Sequence, residues 1–196
     1  MKHIRRIAVY CGAAAGNSSE YRQIAEQTGA IMASLGYDLV YGGGKVGIMG
    51  IVADAMLQAG AKVTGVIPHF LFNLEVGHEG ITELIKVETM HERKMRMFEL
   101  SDAFLALPGG FGTMEELFEM LTWAQLGLHN KPICVLNCFG FYDGLEDQVN
   151  RMEESGFLHK ETKALLHFAE TPSEAISYLS EAHLPERREI LTKRNT

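Results

Sequence analysis

The sequence predicts an α/β fold, a doubly wound, Rossmann-like parallel sheet with helices on both faces. Six short runs are predicted as strands. Runs such as 7–11 are apolar without polar alternation, which is typical of parallel strands buried on both faces, whereas 82–87 is less apolar and is predicted from its β-branched content. Helical periodicity fills the intervals between these runs, and such alternation gives a parallel sheet with right-handed crossovers. Glycine-rich loops follow several of the runs, at the edge where sheets of this kind bind ligands.

The elements are expected in a regular order. Strands are predicted at 7–11, 38–41, 62–67, 82–87, 103–107 and 133–136. Ser18 or Ser19 can cap the first helix, which Gly36 ends, and Gly60 ends a second helix over 48–59. Four later helices are predicted. One begins after Thr89, one begins at Leu117, one ends at about Glu154 and one covers 172–179. We therefore expect one domain over residues 1–185, followed by a polar tail at 186–196.

Composition and charge exclude several classes of protein. A formal net charge of −7 over 196 residues argues against broad nucleic-acid binding, which needs a basic face. No segment approaches the roughly 20 apolar residues of a membrane span. The apolar run after the basic N-terminus is too short for a signal peptide. We expect a cytoplasmic protein with neither a nucleic-acid nor a membrane partner.

The cysteines do not indicate a metal site. Cys11, Cys134 and Cys138 form no disulfide framework, and the C-x-x-x-C spacing of the last two lacks the second ligand pair of a zinc site. Buried, inert thiols are the expected state. The sequence also contains no redox cofactor motif, so neither a metal nor a cofactor is predicted.

The stretch Leu107-Pro108-Gly109-Gly110-Phe111-Gly112-Thr113-Met114-Glu115-Glu116 has the pattern of a phosphate-binding turn. It lies between a predicted strand and a predicted helix. Its glycines allow close backbone approach, and the amides that open a helix bind anions. A structural alternative is that Thr113 and Glu116 form a capping box.

Two further glycine loops follow strands. One contains Gly12 and Gly16, and the other contains Gly42, Gly43 and Gly44 followed by Lys45. Each could be a tight turn packed on the sheet. Because the carboxyl ends of parallel strands meet at one edge, a shared anionic ligand is the more specific interpretation.

A basic segment follows Thr89, where Glu92 completes a second capping-box spacing. Arg93, Lys94 and Arg96 lie within the first two turns of the predicted helix, near the positive end of its dipole. An arriving anion would offset this unfavourable arrangement. The alternative is a solvated basic face.

These motifs together resemble the Lonely Guy (LOG) family of cytokinin riboside 5′-monophosphate phosphoribohydrolases, long labelled lysine decarboxylases. The resemblance rests on the PGGxGTxxE motif at 108–116 and on three shorter segments, at 41–44, 90–94 and 122–127. It covers about residues 4 to 158. It implies a nucleotide-binding domain that cleaves the N-glycosidic bond of a nucleoside 5′-monophosphate to free base and ribose 5-phosphate. It also implies a homodimer, with the helix around Trp123 as a contact, although Trp123 suits the core equally well.

The resemblance also implies site residues. Arg93 and Glu116 would be the catalytic pair, with Glu116 stabilising an oxocarbenium-like transition state or orienting the attacking water. The substrate contacts would be Glu75, Lys94, Gly109, Gly110, Phe111, Gly112, Thr113, Met114, Glu115 and Thr122, together with Gly12, Gly42, Gly43 and Gly44 of the other two loops. This chain has Ala13-Ala14-Ala15 where family members commonly carry a hydroxyl residue, so only backbone contacts are expected there.

Two other functions fit the same fold. A lysine decarboxylase would need a pyridoxal phosphate Schiff-base lysine, and neither Lys45 nor Lys94 has that context. A non-catalytic carrier of a nucleotide or phosphorylated cofactor would have no need for a carboxylate such as Glu116 beside an anion site. The choice between adenine and an N6-isopentenyl base stays open.

Overall fold

The computed structural model describes residues 4–74 and 76–182. In this part of the chain seven parallel strands form one sheet in the order β4-β3-β2-β1-β5-β6-β7. The strands are β1 Arg6–Tyr10, β2 Asp38–Tyr41, β3 Val63–Pro68, β4 Glu83–Val87, β5 Ala103–Ala106, β6 Ile133–Leu136 and β7 Leu166–Ala169. The predicted fold class and the six predicted strands are confirmed.

The seventh strand was not predicted. Leu166–Ala169 pairs in parallel with β6 at the edge of the sheet, with Leu166 opposite Ile133. Three of its four residues are only partly buried, and His167 interrupts the apolar run. An edge strand of this kind lacks the continuous apolar signal of a central parallel strand.

Helices connect the strands. They are α1 Ser19–Ser34, α2 Gly47–Gln58, α3 His69–Phe72, α4 Met90–Leu100, α5 Phe111–Gln125, α6 Asp143–Glu154, α7 Lys160–Lys163 and α8 Pro172–Glu181. Ser18 caps α1 by accepting a hydrogen bond from the amide of Glu20. Thr89 caps α4 by accepting from the amide of Glu92, as predicted. The Glu92 carboxylate accepts from the amide of Glu88, one residue earlier than in an ideal capping box.

The capping-box interpretation of Thr113 and Glu116 is wrong. Helix α5 begins at Phe111, its N-cap residue is Gly110, and no side chain caps it. Thr113 and Glu116 therefore lie inside the helix, and the predicted start at Leu117 is nearly two turns too late. Because the N-cap residue is a glycine, no capping side chain accepts hydrogen bonds from the first-turn amides of α5.

The sheet separates two apolar layers because successive side chains of a strand point to opposite faces. One layer contains Val9, Leu39 and Leu105 and is covered by α1, α2 and α8. The other contains Tyr10, Val40 and Phe104 and includes buried residues of α4 and α5. Both faces are covered by helices, as the uniformly apolar strands predict.

The strand order creates a switch point between β1 and β5. The chain moves outward from β1 to β4 on one side and returns to pair β5 with the other side of β1. Loops leaving adjacent strands in opposite directions leave a crevice at their carboxyl ends, where sheets of this kind bind ligands. Two of the three predicted glycine loops leave the sheet at this crevice.

The C-terminal tail predicted at 186–196 lies outside the described residues. Within the residues that are described, no helix is long and apolar enough to cross a membrane.

Candidate functional site

A cavity of about 540 Å³ opens at the switch point. All three predicted glycine loops contribute to its wall, together with the starts of α2, α4 and α5. Pockets of about 300–1,000 Å³ are typical of small-molecule sites. The lining residues are Val9, Cys11, Gly12, Ala13, Ala14, Ala15, Gly16, Tyr21, Gly42, Ile48, Met49, Met90, Arg93, Pro108, Gly109, Gly110, Gly112, Thr113, Glu115, Glu116 and Phe141.

The first and third loops are joined backbone to backbone. The amide of Gly12 donates to the carbonyl of Pro108 at 3.1 Å, and the amide of Leu107 donates to the carbonyl of Tyr10 at 2.9 Å. Gly47, at the start of α2, lies so close to the first loop that a Cβ atom there would be 2.3 Å from the carbonyl carbon of Ala13. The loops therefore form one connected backbone frame around the cavity.

The start of α5 presents amides to the cavity. The amide of Met114 makes the first intrahelical hydrogen bond, to the carbonyl of Gly110 at 3.2 Å. The amides of the three residues before it have no intrahelical acceptor, as at any helix start. A Cβ atom at Gly110 or Gly112 would have no neighbour within 4 Å, whereas one at Gly109 would be 2.1 Å from the Thr113 hydroxyl. Gly109 is thus required for packing, while Gly110 and Gly112 leave space at the helix start.

Arg93 is held in a defined position beneath the cavity. It is only 5% exposed. Its Nε donates to the carbonyl of Val66 at 3.2 Å, and its Nη2 donates to the carbonyl of Gly42 at 3.1 Å. The guanidinium is therefore fixed at the ends of β2 and β3, so the solvated-face alternative is wrong for Arg93.

Carboxylates on α5 act electrostatically on the buried phenol of Tyr10. Burial raises the pKa of the Tyr10 phenol well above its usual value, and the charges of Glu116, Glu119 and Glu115 raise it further, whereas Arg93 lowers it. Glu115 and Glu116 also line the cavity. The site consequently combines a buried cation with carboxylates next to an open helix start.

Lys94 is absent from the cavity lining. Its ammonium donates to the carboxylate of Glu115 and, at 3.0 Å, to Glu119 Oε1. Desolvation lowers the pKa of Lys94, but the hydrogen bonds to Glu115 and Glu119 outweigh it and raise the pKa above its usual value. The solvated-face alternative is wrong for this residue also. It is right for Arg96, whose guanidinium forms an exposed ion pair with Glu99 at 3.3 Å.

Comparison with known proteins assigns the chain to a family. A family model described as "Possible lysine decarboxylase" matches residues 49–179. A cytokinin riboside 5′-monophosphate phosphoribohydrolase of Arabidopsis thaliana is 40% identical over 97% of this chain and 89% of that protein. The cytokinin riboside 5′-monophosphate phosphoribohydrolase LOG of Oryza sativa subsp. japonica is 44% identical over 93% of this chain and 75% of the rice protein. The chain belongs to the LOG family.

Solved structures share the fold of this LOG-family chain. The molybdenum cofactor binding protein of Rippkaea orientalis has a TM-score of 0.67 at 20% identity, with all of both chains covered. The molybdenum cofactor carrier protein of Chlamydomonas reinhardtii has a TM-score of 0.66 at 17% identity, with 96% of this chain and 99% of that chain covered. At these identities the similarity shows the α/β fold alone.

Nine residues predicted for the LOG-family site line the cavity. They come from all three glycine loops and from α4 and α5, which shows that the tertiary structure brings the motifs together. They are Gly12, Gly42, Arg93, Gly109, Gly110, Gly112, Thr113, Glu115 and Glu116.

Other predicted residues lie outside the cavity lining. Phe111 is 96% exposed, and the Thr122 hydroxyl donates to the carbonyl of Phe118 at 2.7 Å. Gly43 accepts from the amide of His78, and Gly44 forms a bridge with Gly77, so both pack the β3–β4 connection. Met114 and Lys94 are also absent from the lining, and Glu75 lies outside the described residues. Their roles as substrate contacts stay predictions.

Sequence reasoning missed the aromatic part of the wall. Tyr21 of α1 and Phe141, which follows β6, meet edge to face with ring centroids 5.8 Å apart. Phe139, two residues before Phe141, has a left-handed backbone with φ 56° and is followed by Gly140 at φ 68°. Strained residues of this kind are concentrated at functional sites. The signal in the sequence was the aromatic turn Phe139-Gly140-Phe141-Tyr142 after a strand.

Proposed function

We propose that the protein hydrolyses the N-glycosidic bond of an adenosine 5′-monophosphate, with or without an N6 substituent, to the free base and ribose 5-phosphate. The observation that carries the proposal is that an uncapped helix start, a buried arginine and a glutamate line one cavity at the switch point. The names of the relatives at 40% and 44% identity support the same reaction.

The start of α5 would hold the 5′-phosphate. Helix N-termini attract anions through their unpaired amides and the positive end of the dipole. The space at Gly110 and Gly112 allows phosphate oxygens to approach the backbone. Binding of the phosphate would orient the ribose for attack, which is a large part of enzymatic rate enhancement.

Glu116 and Arg93 would act on the ribose. As the base leaves, positive charge develops on the sugar, and a carboxylate beside C1′ stabilises that charge and orients the attacking water. Glu116 is the carboxylate assigned to this role. Arg93, fixed by two backbone carbonyls, would keep Glu116 ionised or bind a substrate oxygen.

The remaining cavity wall suits a purine base. Apolar and aromatic side chains provide it, among them Ile48, Met49, Met90 and Phe141. Pockets lined this way with few polar groups bind flat organic ligands. Within the described residues no lysine lines the cavity, which disfavours a Schiff-base decarboxylase.

The decisive experiment is detection of free base by chromatography. The purified protein is incubated separately with AMP and with N6-isopentenyl-AMP, and we expect base and ribose 5-phosphate in equal amounts. The ratio of the two kcat/KM values ranks the substrates. Binding of both nucleotides without base release would contradict the hydrolase and favour a carrier.

The helix start can be tested with two alanine substitutions. A Cβ atom at Gly110 or Gly112 meets no protein atom, so Gly110→Ala and Gly112→Ala should fold with unchanged thermal stability. If phosphate occupies this space, KM for the nucleotide should rise roughly tenfold or more, equivalent to about 1.4 kcal/mol of lost binding. Gly144→Ala, also without a neighbour within 4 Å, is the matched control on α6. An unchanged KM in both variants would place the phosphate elsewhere.

We further propose a homodimer that uses α4 and α5. Exposed apolar side chains cluster on these helices and just beyond α5, namely Met95, Phe118, Leu126 and Leu128. Trp123 itself packs edge to face on Phe98 at 5.1 Å within the same chain. Light scattering on the purified protein should give a molar mass twice that of one chain. The Leu126→Lys variant should give a molar mass closer to that of one chain.

A further inference from the structure

Lys94 is a buried residue of α4 that reaches across to α5. Its side chain is 9% exposed, and its ammonium contacts carboxylates of Glu115 and Glu119, one helical turn apart on α5. Lysine has three donors, and two are used by these contacts. The second oxygen of Glu119 is buried without a hydrogen-bond partner among the described residues. The described hydrogen bond of the Glu119 carboxylate is therefore the one from Lys94.

The neighbouring Arg93 points in a different direction along the same helix. Consecutive residues of an α-helix are about 100° apart around its axis. Arg93 consequently reaches the carbonyls of Gly42 and Val66 at the strand ends, while Lys94 reaches α5. The first turns of α4 are thus tied both to the sheet and to the helix that carries Glu116.

The arrangement of charges on α5 suggests what the contacts of Lys94 do. Glu115, Glu116 and Glu119 lie within five residues of α5, close to the helix start assigned to the phosphate. A dianion near three carboxylates would be repelled. A buried ammonium that pairs with Glu115 and Glu119 offsets two of these three charges.

We propose that Lys94 is a positioning residue that acts through Glu119 and Glu115, instead of contacting the substrate. It holds α5 against α4 and thereby sets the distance between Glu116 and Arg93. Glu119, which the sequence did not single out, belongs to the same unit. This inference rests on the proposed hydrolase function.

The test separates positioning from direct contact by measuring kcat and binding independently. Lys94→Met removes the charge and keeps the length of the side chain, and Glu119→Gln changes a residue outside the cavity lining. We expect both variants to lower kcat at least fivefold while KM and the inhibition constant of ribose 5-phosphate change less than twofold. Lys94→Arg should recover part of the lost kcat.

A second measurement tests whether the effects of the two substitutions on kcat are additive. The double variant Lys94→Met/Glu119→Gln leaves fewer unpaired buried charges than Lys94→Met, so it should fold even if the single variant does not. The fold-loss of kcat in the double variant should be smaller than the product of the two single losses, because the Lys94–Glu119 interaction is removed in both single variants. A weaker ribose 5-phosphate affinity in Lys94→Met with normal kcat would show direct contact and overturn the inference, as would full activity of Glu119→Gln.

The two proposals fail in different ways. Absence of base release by the wild-type protein would refute the hydrolase. Base release by the wild-type protein together with unchanged kcat in the folded Lys94→Met variant would refute the positioning role alone.

Discussion

Replacing Glu116 with glutamine is expected to lower kcat for base release about 100-fold or more. The amide keeps the shape of the side chain but cannot stabilise positive charge on the ribose, and loss of one well-placed electrostatic group commonly costs about 10²–10³ in kcat. Nucleotide binding should persist, because the helix start at Gly110 is unchanged. Steady-state measurements of base release at saturating nucleotide give kcat, and calorimetric titration with AMP gives the affinity.

An exposed carboxylate provides the control for this substitution. Glu99 lies in the last turn of α4 and pairs only with exposed Arg96 among its described ion pairs, so Glu99→Gln should keep wild-type kcat. If Glu116→Gln retained more than half of the wild-type kcat, Glu116 could not carry the proposed chemistry.

Gly42→Ala is expected to reduce kcat about 100-fold through Arg93. A Cβ atom at position 42 would lie 2.0 Å from Arg93 Nη2 and 3.2 Å from its Cζ, so the guanidinium must leave its present site. The clashing atoms are the end of a flexible side chain, so the fold can adapt by moving the arginine. The substitution should therefore lower kcat strongly and change the melting temperature only slightly.

The same glycine-to-alanine change elsewhere tests the explanation for position 42. Gly144→Ala on α6 has open space around its Cβ atom and should leave both kcat and the melting temperature unchanged or slightly raised. A Gly42→Ala variant that unfolds at ordinary temperature, or one with wild-type kcat, would contradict a specific displacement of Arg93.

Much of the fold could be predicted from local sequence. The central strands are continuous apolar runs, and the caps at Ser18 and Thr89 have their own signals, so these elements were predicted within one or two residues. The predicted start of α5 at Leu117 was too late because the amphipathic run begins there, whereas the helix begins at Phe111 after a glycine N-cap. The edge strand Leu166–Ala169 was missed because half-buried residues give no clear periodicity.

The candidate site could be predicted only in part. Glycine clusters after strands indicate close backbone approach wherever the strand lies, so Gly12, Gly42 and the 109–112 segment were identified. Tyr21 and Phe141 were not, because their contact joins segments 120 residues apart in the chain. The partners of Lys94 likewise lie on another helix, so no local pattern indicated them, and the family resemblance implied a substrate contact.

The sequence by itself determined the alternation of strand and helix, the glycine turns at one edge of the sheet and the presence of Arg93 and Glu116. These are properties of short segments, set by side-chain periodicity and backbone freedom. Only the tertiary structure decided the strand order, the cavity at the β1–β5 switch point and the directions in which Arg93 and Lys94 reach. Those features depend on packing between distant segments, which no local pattern encodes.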